Sequence, residues 1–325
     1  MNPGAVSPLS APARLVDWSS DPEVRVAITG ATGWIGAALA ACCHGLGLNR
    51  ENGRLRLFGA TARLFNSGNQ SFHVEALTGA SPLGKGRWHV LHLAYLGKER
   101  TEDLSADAFE RVNDQLLSEA ISLSKTAQSV RFFFASSGAA RNSNGDAPTR
   151  LQNPYGYNKA LHEQHLKEWS ASEGTPLGIA RIYNVGGPYI NKLARYALAD
   201  FISQARNSGS VKIQAARPVF RSFVDAEELS FVILLRLIEQ TSLVDHYSTF
   251  GREVLEMSDL AATVLDVTGN DRNNIIRPPL NSHEPDWYVG AGEHYQTTLA
   301  VHGMAPIAIG EIISRTDQFL RTLDS

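Results

Sequence analysis

A β-branched apolar run, Val24 to Thr29, leads without a spacer into Gly30-Ala31-Thr32-Gly33-Trp34-Ile35-Gly36, and an alanine-rich stretch continues to Cys43. Strand, tight glycine turn and helix in immediate succession restrict the chain to folds that begin with a strand feeding a helix. Each glycine has a physical reason. The first allows the turn out of the strand, the second lets the backbone approach a pyrophosphate, and the third lets the helix settle on the strand. A phosphate would then face the positive end of the helix dipole. The spacing is G-x-x-G-x-x-G where the general dinucleotide fingerprint is G-x-G-x-x-G, so a glycine turn without a ligand is the competing reading.

Further short apolar runs at Leu55 to Phe58, Phe72 to Ala76, His89 to Ala94, Val130 to Ser136 and Leu177 to Tyr183 suit strands buried on both faces. Helical patterns lie between them, chiefly Ala106 to Ala127 and Tyr155 to Ser170. This alternation predicts an α/β fold with a Rossmann-type doubly wound parallel sheet. After Tyr183 the texture changes. Gly186-Gly187-Pro188 interrupts it, a helix is expected over about Asn191 to Arg206, and Arg217 to Val224 reads as a strand or loop returning to the sheet. From about Met257 to Leu323, the chain mixes two helical stretches with a Pro- and His-containing segment, Pro278 to His294. The expected organisation is an extension over 1–22, a dinucleotide-binding domain over 23–185 to which 220–250 returns, and a smaller C-terminal α/β substrate-binding lobe over 186–325.

With 43% hydrophobic residues in 325, the chain can bury a large core, and its formal net charge of -3 gives no electrostatic ground for a nucleic-acid partner. Cys42 and Cys43 are adjacent and cannot staple distant segments, which suits a reducing, cytoplasmic setting. The longest apolar run, Phe231 to Ile238, is interrupted by Arg236 and falls short of the ~20 residues that a membrane helix needs. It reads as a buried core helix, and no membrane partner is expected. Met1 to Glu23 carries four prolines and no continuous apolar core, so it reads as a flexible or loosely packed extension rather than a signal peptide.

The end of the second strand usually bears the acid that bonds the adenosine ribose hydroxyls and favours NAD, whereas a nearby arginine accommodates the extra phosphate of NADP. Here Leu55-Arg56-Leu57-Phe58 runs into Gly59-Ala60-Thr61-Ala62-Arg63 with no acid. The preference therefore leans to NADP, with NAD open and Arg63 as the phosphate contact. Arg63 as a solvated surface charge is the alternative.

Tyr155 and Lys159 stand four apart on an expected helix and so share one face. A neighbouring ammonium favours the phenolate, which lets the tyrosine exchange a proton with a hydroxyl or carbonyl near neutral pH. Tyr157 has Leu161 at the matching position and gains nothing comparable. The strand Arg131-Phe132-Phe133-Phe134-Ala135 ends in Ser136-Ser137-Gly138, at the carboxyl edge where open α/β sheets bind ligands. A serine there can bond a substrate oxygen, or it can simply satisfy a turn. His162 and His165 are three apart rather than the four of a helical zinc pair, so no metal is expected.

These motifs, with His92-Leu93-Ala94, Asn113, Ala135-Ser136-Ser137, Arg181 to Pro188 and Arg221 to Asp225 following in order, resemble an extended short-chain dehydrogenase/reductase of the kind that acts on nucleotide-activated sugars. The resemblance implies a triad of Ser137, Tyr155 and Lys159, with Lys159 also holding the nicotinamide ribose. It implies a cofactor lying along Gly30, Thr32, Gly33, Trp34, Ile35 and Gly36, past Arg63, Leu77, Leu93 and Ala94, to Tyr155 and Lys159. Asn184 and Arg221 would face the substrate, Arg221 gripping a diphosphate through its fork of donors. A homodimer through the Tyr155 helix and its neighbour is implied as well.

Departures narrow the reading. Dehydratases of this family carry an acid directly after the catalytic hydroxyl residue, whereas Gly138-Ala139-Ala140 stands here, which argues against dehydration. The usual aspartate near the adenine is replaced in Glu75-Ala76-Leu77, so contacts at Ala76 and Leu77 would come from backbone. A Tyr-Gly pair expected after the serines is missing. The expectation is a 4-keto-sugar reductase using NADP, with a nucleotide-sugar epimerase using bound NAD as the runner-up. A non-catalytic dinucleotide sensor is the alternative of another class.

Overall fold

The computed structural model describes residues 8–67, 70–127, 129–142 and 145–323. In chain order the elements are α1 (Ala13–Ser20), β1 (Val24–Thr29), α2 (Trp34–Gly45), β2 (Leu55–Gly59), β3 (Arg63–Ser67), β4 (Gln70–Ala76), β5 (Arg87–His92), α3 (Ala106–Thr126), β6 (Arg131–Ser137), α4 (Pro154–Glu173) and β7 (Leu177–Ile182). Then come β8 (Asn184–Gly186), α5 (Ala197–Ser208), β9 (Val211–Lys212), β10 (Val219–Arg221), β11 (Phe223–Asp225), α6 (Ala226–Glu239), β12 (Val244–Ser248), β13 (Leu255–Glu256), α7 (Met257–Val267), β14 (Ile275–Ile276), β15 (Asp286–Tyr288), α8 (Glu293–Val301) and α9 (Ile309–Leu323).

They fall into two compact units. Ser10–Ile182 with Ser230–Ser248 make one, and Tyr183–Leu229 with the chain from Thr249 onward make most of the other. The late segment that belongs to the first unit is thus narrower than the expected 220–250.

The first unit holds an eight-stranded sheet in the order β12-β7-β6-β5-β1-β2-β4-β3. Every neighbouring pair is parallel except the β3–β4 hairpin. The winding reverses at β1, which has β2 on one side and β5 on the other. In open α/β sheets this switch point opens a crevice at the carboxyl ends of the strands. The sheet is the doubly wound one expected from the sequence. Its core is aromatic and aliphatic, with Phe58, Val90, Phe132, Phe134, Leu177 and Ile179 buried together.

The N-terminal extension is ordered where it is described. Leu15 and Trp18 of α1 are buried, and the Trp18 ring meets the His89 ring edge-on at 5.3 Å. The expectation of a loose segment over 1–22 gives way from Ala13 onward, because an amphipathic helix of about two turns supplies two anchors. Residues 1–7 lie outside the described residues. The hairpin strand β3 was not expected, since its Leu64 is 57% exposed and it lacks the buried apolar run of a central strand.

The second unit contains the small sheets β13-β10-β15, β11-β8 and β14-β9. Its helix α5 begins at Ala197 rather than near Asn191, because Tyr189 takes a positive φ and a short 3-10 turn at Leu193–Arg195 comes first. Beyond Met257 there are three helices where two were expected. An ionic cluster is buried here: Arg315 bonds Asp225 at 2.9 Å and Glu227 at 2.5 Å. Asp225 also accepts from the Glu227 backbone N–H, at the start of α6.

Candidate active site

The glycine turn is shaped by close approach. Gly30 has φ +71°, and a Cβ there would overlap the backbone of Leu93 and Ala94 beyond β5. A Cβ on Gly36 would strike the Gly30 carbonyl, so helix α2 rests directly on the turn. Thr29 ties the same corner together: its Oγ1 lies 2.8 Å from His92 Nδ1 and accepts from the N–H groups of Leu93 at 3.2 Å and Ala94 at 3.3 Å. Asn113, fully buried on α3, accepts from Leu96 N–H at 2.9 Å and holds the continuation of β5.

Gly33 is exposed and caps α2 without a side chain, and no acid stands in the first helical turn. A Cβ at Gly33 would meet only the Gly30 carbonyl, at 3.2 Å. The turn therefore presents a helix start without a side-chain cap from Gly33 at the switch point, a surface that fits a dinucleotide pyrophosphate. Thr32 lies against Gly59 at the end of β2, Trp34 is buried in the first turn of α2, and Ile35 beside it is half-buried.

At the position expected beside the adenine, the Leu77 N–H donates to Gly59 O at 2.9 Å, its carbonyl accepts from Ala80, and its side chain is buried. Glu75, the nearest acid, is paired with Arg56 at 2.6 Å. Arg63 opens β3, is exposed, and pairs in register with Val74, the residue against which a Gly59 Cβ would press.

The proton-transfer candidates stand on α4 and β6. Asn153 caps α4 by accepting from Gly156 N–H at 2.9 Å, and Pro154 opens the helix. A Cβ on Gly156 would overlap the Ala139 carbonyl, so the first turn of α4 sits hard against the turn after β6. Lys159 is 3% exposed; its Nζ donates to Ala135 O at 2.6 Å and lies 3.5 Å above the Tyr95 ring. Burial pushes the Lys159 amine well below its ordinary range, and the Glu163 carboxylate opposes that shift. Ser137 ends β6 nearly buried, with its Oγ accepting from Ala139 N–H at 3.2 Å. Ser136 Oγ instead donates to Glu163 at 2.6 Å.

Tyr95 was missed by sequence reasoning. Its ring meets Tyr155 edge-on at 5.9 Å, carries Lys159 on its face, and its hydroxyl donates to Asn158. The only signal was its place one residue beyond His92-Leu93-Ala94. Tyr95 thus touches both members of the Tyr155/Lys159 pair.

Asn184 and Arg221 belong to the second unit. Asn184 Nδ2 donates to the carbonyls of Ser222 at 3.1 Å and Tyr288 at 3.3 Å, bracing β8. The Arg221 fork is not an open anion grip. It donates to Phe220 O and Asp286 O and faces the Asp286 carboxylate at 3.3 Å, which Arg217 shares. His162 is buried and bonds Asp114 at 2.8 Å, and among the described residues no cluster of three or more ligand-type side chains could hold a metal. No helix among them is long and apolar enough to cross a membrane.

A glycine turn at a topological switch point, with a buried Lys four residues from a Tyr at the same sheet edge, defines a dinucleotide-dependent enzyme fold of the short-chain dehydrogenase/reductase type. The model of the NAD dependent epimerase/dehydratase family matches residues 26–248, more than half of the chain. The chain belongs to that family, as an extended short-chain dehydrogenase/reductase.

Comparison with curated proteins gives no match. Similar solved structures include a UDP-N-acetylglucosamine 4-epimerase from Methanobrevibacter ruminantium in complex with UDP-N-acetylmuramic acid, at TM-score 0.73 and 17% identity, covering 93% of this chain and 99% of that one. Another is the Thermus thermophilus UDP-glucose 4-epimerase in complex with NAD, at 0.67 and 19%, covering 92% and 99%. A third is the Thermotoga maritima UDP-glucose 4-epimerase with UDP-glucose, at 0.67 and 16%, covering 93% and 100%.

Proposed function

We propose that this enzyme moves a hydride to or from a carbonyl or hydroxyl carbon of a nucleotide-activated sugar, as a 4-keto-sugar reductase working with NADP. The observation that carries the reading is the Tyr155/Lys159 pair on α4, with Lys159 buried against the end of β6 and Tyr95 contacting both. The nicotinamide, when bound, supplies or accepts the hydride. Tyr155 moves the proton to or from the sugar oxygen, and Ser137 Oγ hydrogen-bonds that oxygen. Lys159 favours the phenolate of Tyr155 while its amine is charged.

NADP is supported by the lack of an acid at the end of β2 and by the exposed guanidinium of Arg63 across β4. The sugar class is supported by the UDP-sugars named with the similar structures. One observation favours a second reading, a 4-epimerase that recycles bound NAD: those similar structures are 4-epimerases, one with NAD.

The test separates the two. The protein is titrated with NADPH and NADH by fluorescence, then offered UDP-hexoses and UDP-4-keto-hexoses while cofactor and sugar are both followed. A reductase oxidises one NADPH per sugar reduced. An epimerase interconverts hexoses with no net cofactor change. Cofactor binding with no turnover of either class would refute both and favour a sensor. Light scattering of the full chain tests the homodimer through α3 and α4.

A further inference from the structure

Tyr155, Lys159 and Glu163 follow one another at four-residue spacing on α4 and form one stripe. Lys159 Nζ donates to Ala135 O, and one turn later Glu163 Oε1 accepts from Ser136 Oγ, so α4 engages two successive residues at the end of β6. The β6–β7 register sets Ser136 directly opposite Arg181, and Arg181 closes on the same carboxylate with a two-pronged grip at 2.9 and 2.5 Å. His246 of β12 stands 3.7 Å from it. Glu163 is 3% exposed. A buried carboxylate bonded from two neighbouring strands and faced by a third, one turn from a buried ammonium, is more than a helix anchor.

We propose that Glu163 is a positioning residue for the Tyr155/Lys159 pair: through Ser136 and Arg181 it fixes α4 on the edge of β6, and it sets a carboxylate one helical turn from the Lys159 amine. The proposal rests on the reading of Tyr155 and Lys159 as the proton-transfer pair. The groups facing Lys159 are Tyr95 and His92 from β5 and its continuation, Tyr155, His162 and Glu163 on α4, and the Ala135 carbonyl and Phe134 ring of β6. Arg181 of β7 and His246 of β12 lie behind Glu163. Glu163 is the carboxylate among them, and its charge opposes the desolvation that pushes the Lys159 amine down. Without Glu163, the ammonium that favours the Tyr155 phenolate would be lost at lower pH.

The test follows the Lys159 amine itself. The full-length protein is labelled with lysine enriched at Cε, its Lys159 resonance is assigned by its loss in Lys159→Met, and it is titrated by NMR. In Glu163→Gln the Lys159 midpoint is expected at lower pH than in the wild type, whereas Glu163→Asp and Ser136→Ala, which keep the charge, restore or retain it. Because Glu163→Gln strands Arg181, circular dichroism and urea unfolding check that the variant is folded, and Arg181→Gln alone, which removes a cation and keeps the carboxylate, is expected to leave the midpoint where it is or raise it. An unchanged or raised midpoint in Glu163→Gln overturns the proposal even if the enzyme turns over. A lowered midpoint in a protein that turns over no sugar upholds it and refutes the functional reading.

Discussion

Glu228, on the first turns of α6, is a carboxyl group with no cationic partner among the described residues. It is 1% exposed, and its two oxygens accept from the Tyr295 hydroxyl and from the Ile307 N–H, each at 2.7 Å. Burial, reinforced by Asp225 and Glu311, raises its pKa from the usual 4.5 to about 7 in spite of those two donors. A raised carboxyl pKa means that the folded state holds the proton more tightly than the unfolded one. The resulting stability is fully present below about pH 4.5 and is lost as pH rises through about 7. At about 1.4 kcal/mol per pH decade, the loss between about pH 5 and about pH 8 is on the order of 2–3 kcal/mol.

Glu228→Gln abolishes the titration while its amide can still accept from Ile307 N–H and donate to Tyr295 Oη. Urea unfolding of both proteins across this pH range, expressed as the difference in unfolding free energy, isolates Glu228. Other groups act equally on both proteins, including His89, whose pKa burial lowers to about 3. The wild type should lose stability relative to the variant as pH rises. A flat difference, or one of opposite slope, would refute the argument.

Other perturbations have equally defined outcomes. Tyr155→Phe should lower turnover by roughly 10²–10⁴-fold while cofactor titration stays close to wild type; wild-type kinetics would sink the proton-transfer role. Gly156→Ala drives a Cβ into the Ala139 carbonyl and should cost about 1–3 kcal/mol in chemical denaturation, with none of that loss expected for Gly79→Ser, whose surroundings are open, beyond the strain of its positive φ. Arg315→Met leaves the buried Asp225 and Glu227 without their cation and should cost about 3–5 kcal/mol, read as a lower urea midpoint. Arg63→Glu should weaken NADPH about tenfold and leave NADH within about twofold; equal losses for both would remove Arg63 from cofactor selection.

The sheet was legible because its central strands are buried on both faces. Val24–Thr29, Arg131–Ser137 and Leu177–Ile182 each carry an apolar run through the middle, as a parallel strand buried on both faces requires. The edges were not legible for the same reason. β3 faces solvent along most of its length, and α1 needs only Leu15 and Trp18 to dock, so neither leaves a long apolar signature.

In the candidate site, spacing along one helix could be read directly, which is how Tyr155 and Lys159 were found. Partners across strands could not, because they depend on register. Arg181 reaches Glu163 only because β6 and β7 pair Ser136 with Arg181, and a shift by one residue would turn Arg181 to the other face of the sheet. Tyr95 is hidden in the same way, its partner Asn158 lying 63 residues further on.

Leu77 makes the point from the opposite side. The resemblance implied backbone contacts with the adenine at Ala76 and Leu77. Yet β2 and β4 pair through Gly59 and Ala76, so the next N–H along β4 bonds the Gly59 carbonyl and is no longer free for a ligand. Carrying a role across by sequence position names the residue; the pairing register decides whether its backbone can perform the role. With its N–H so engaged and its side chain buried, a Leu77→Val substitution should weaken the fold without altering the ratio of NADPH to NADH affinity.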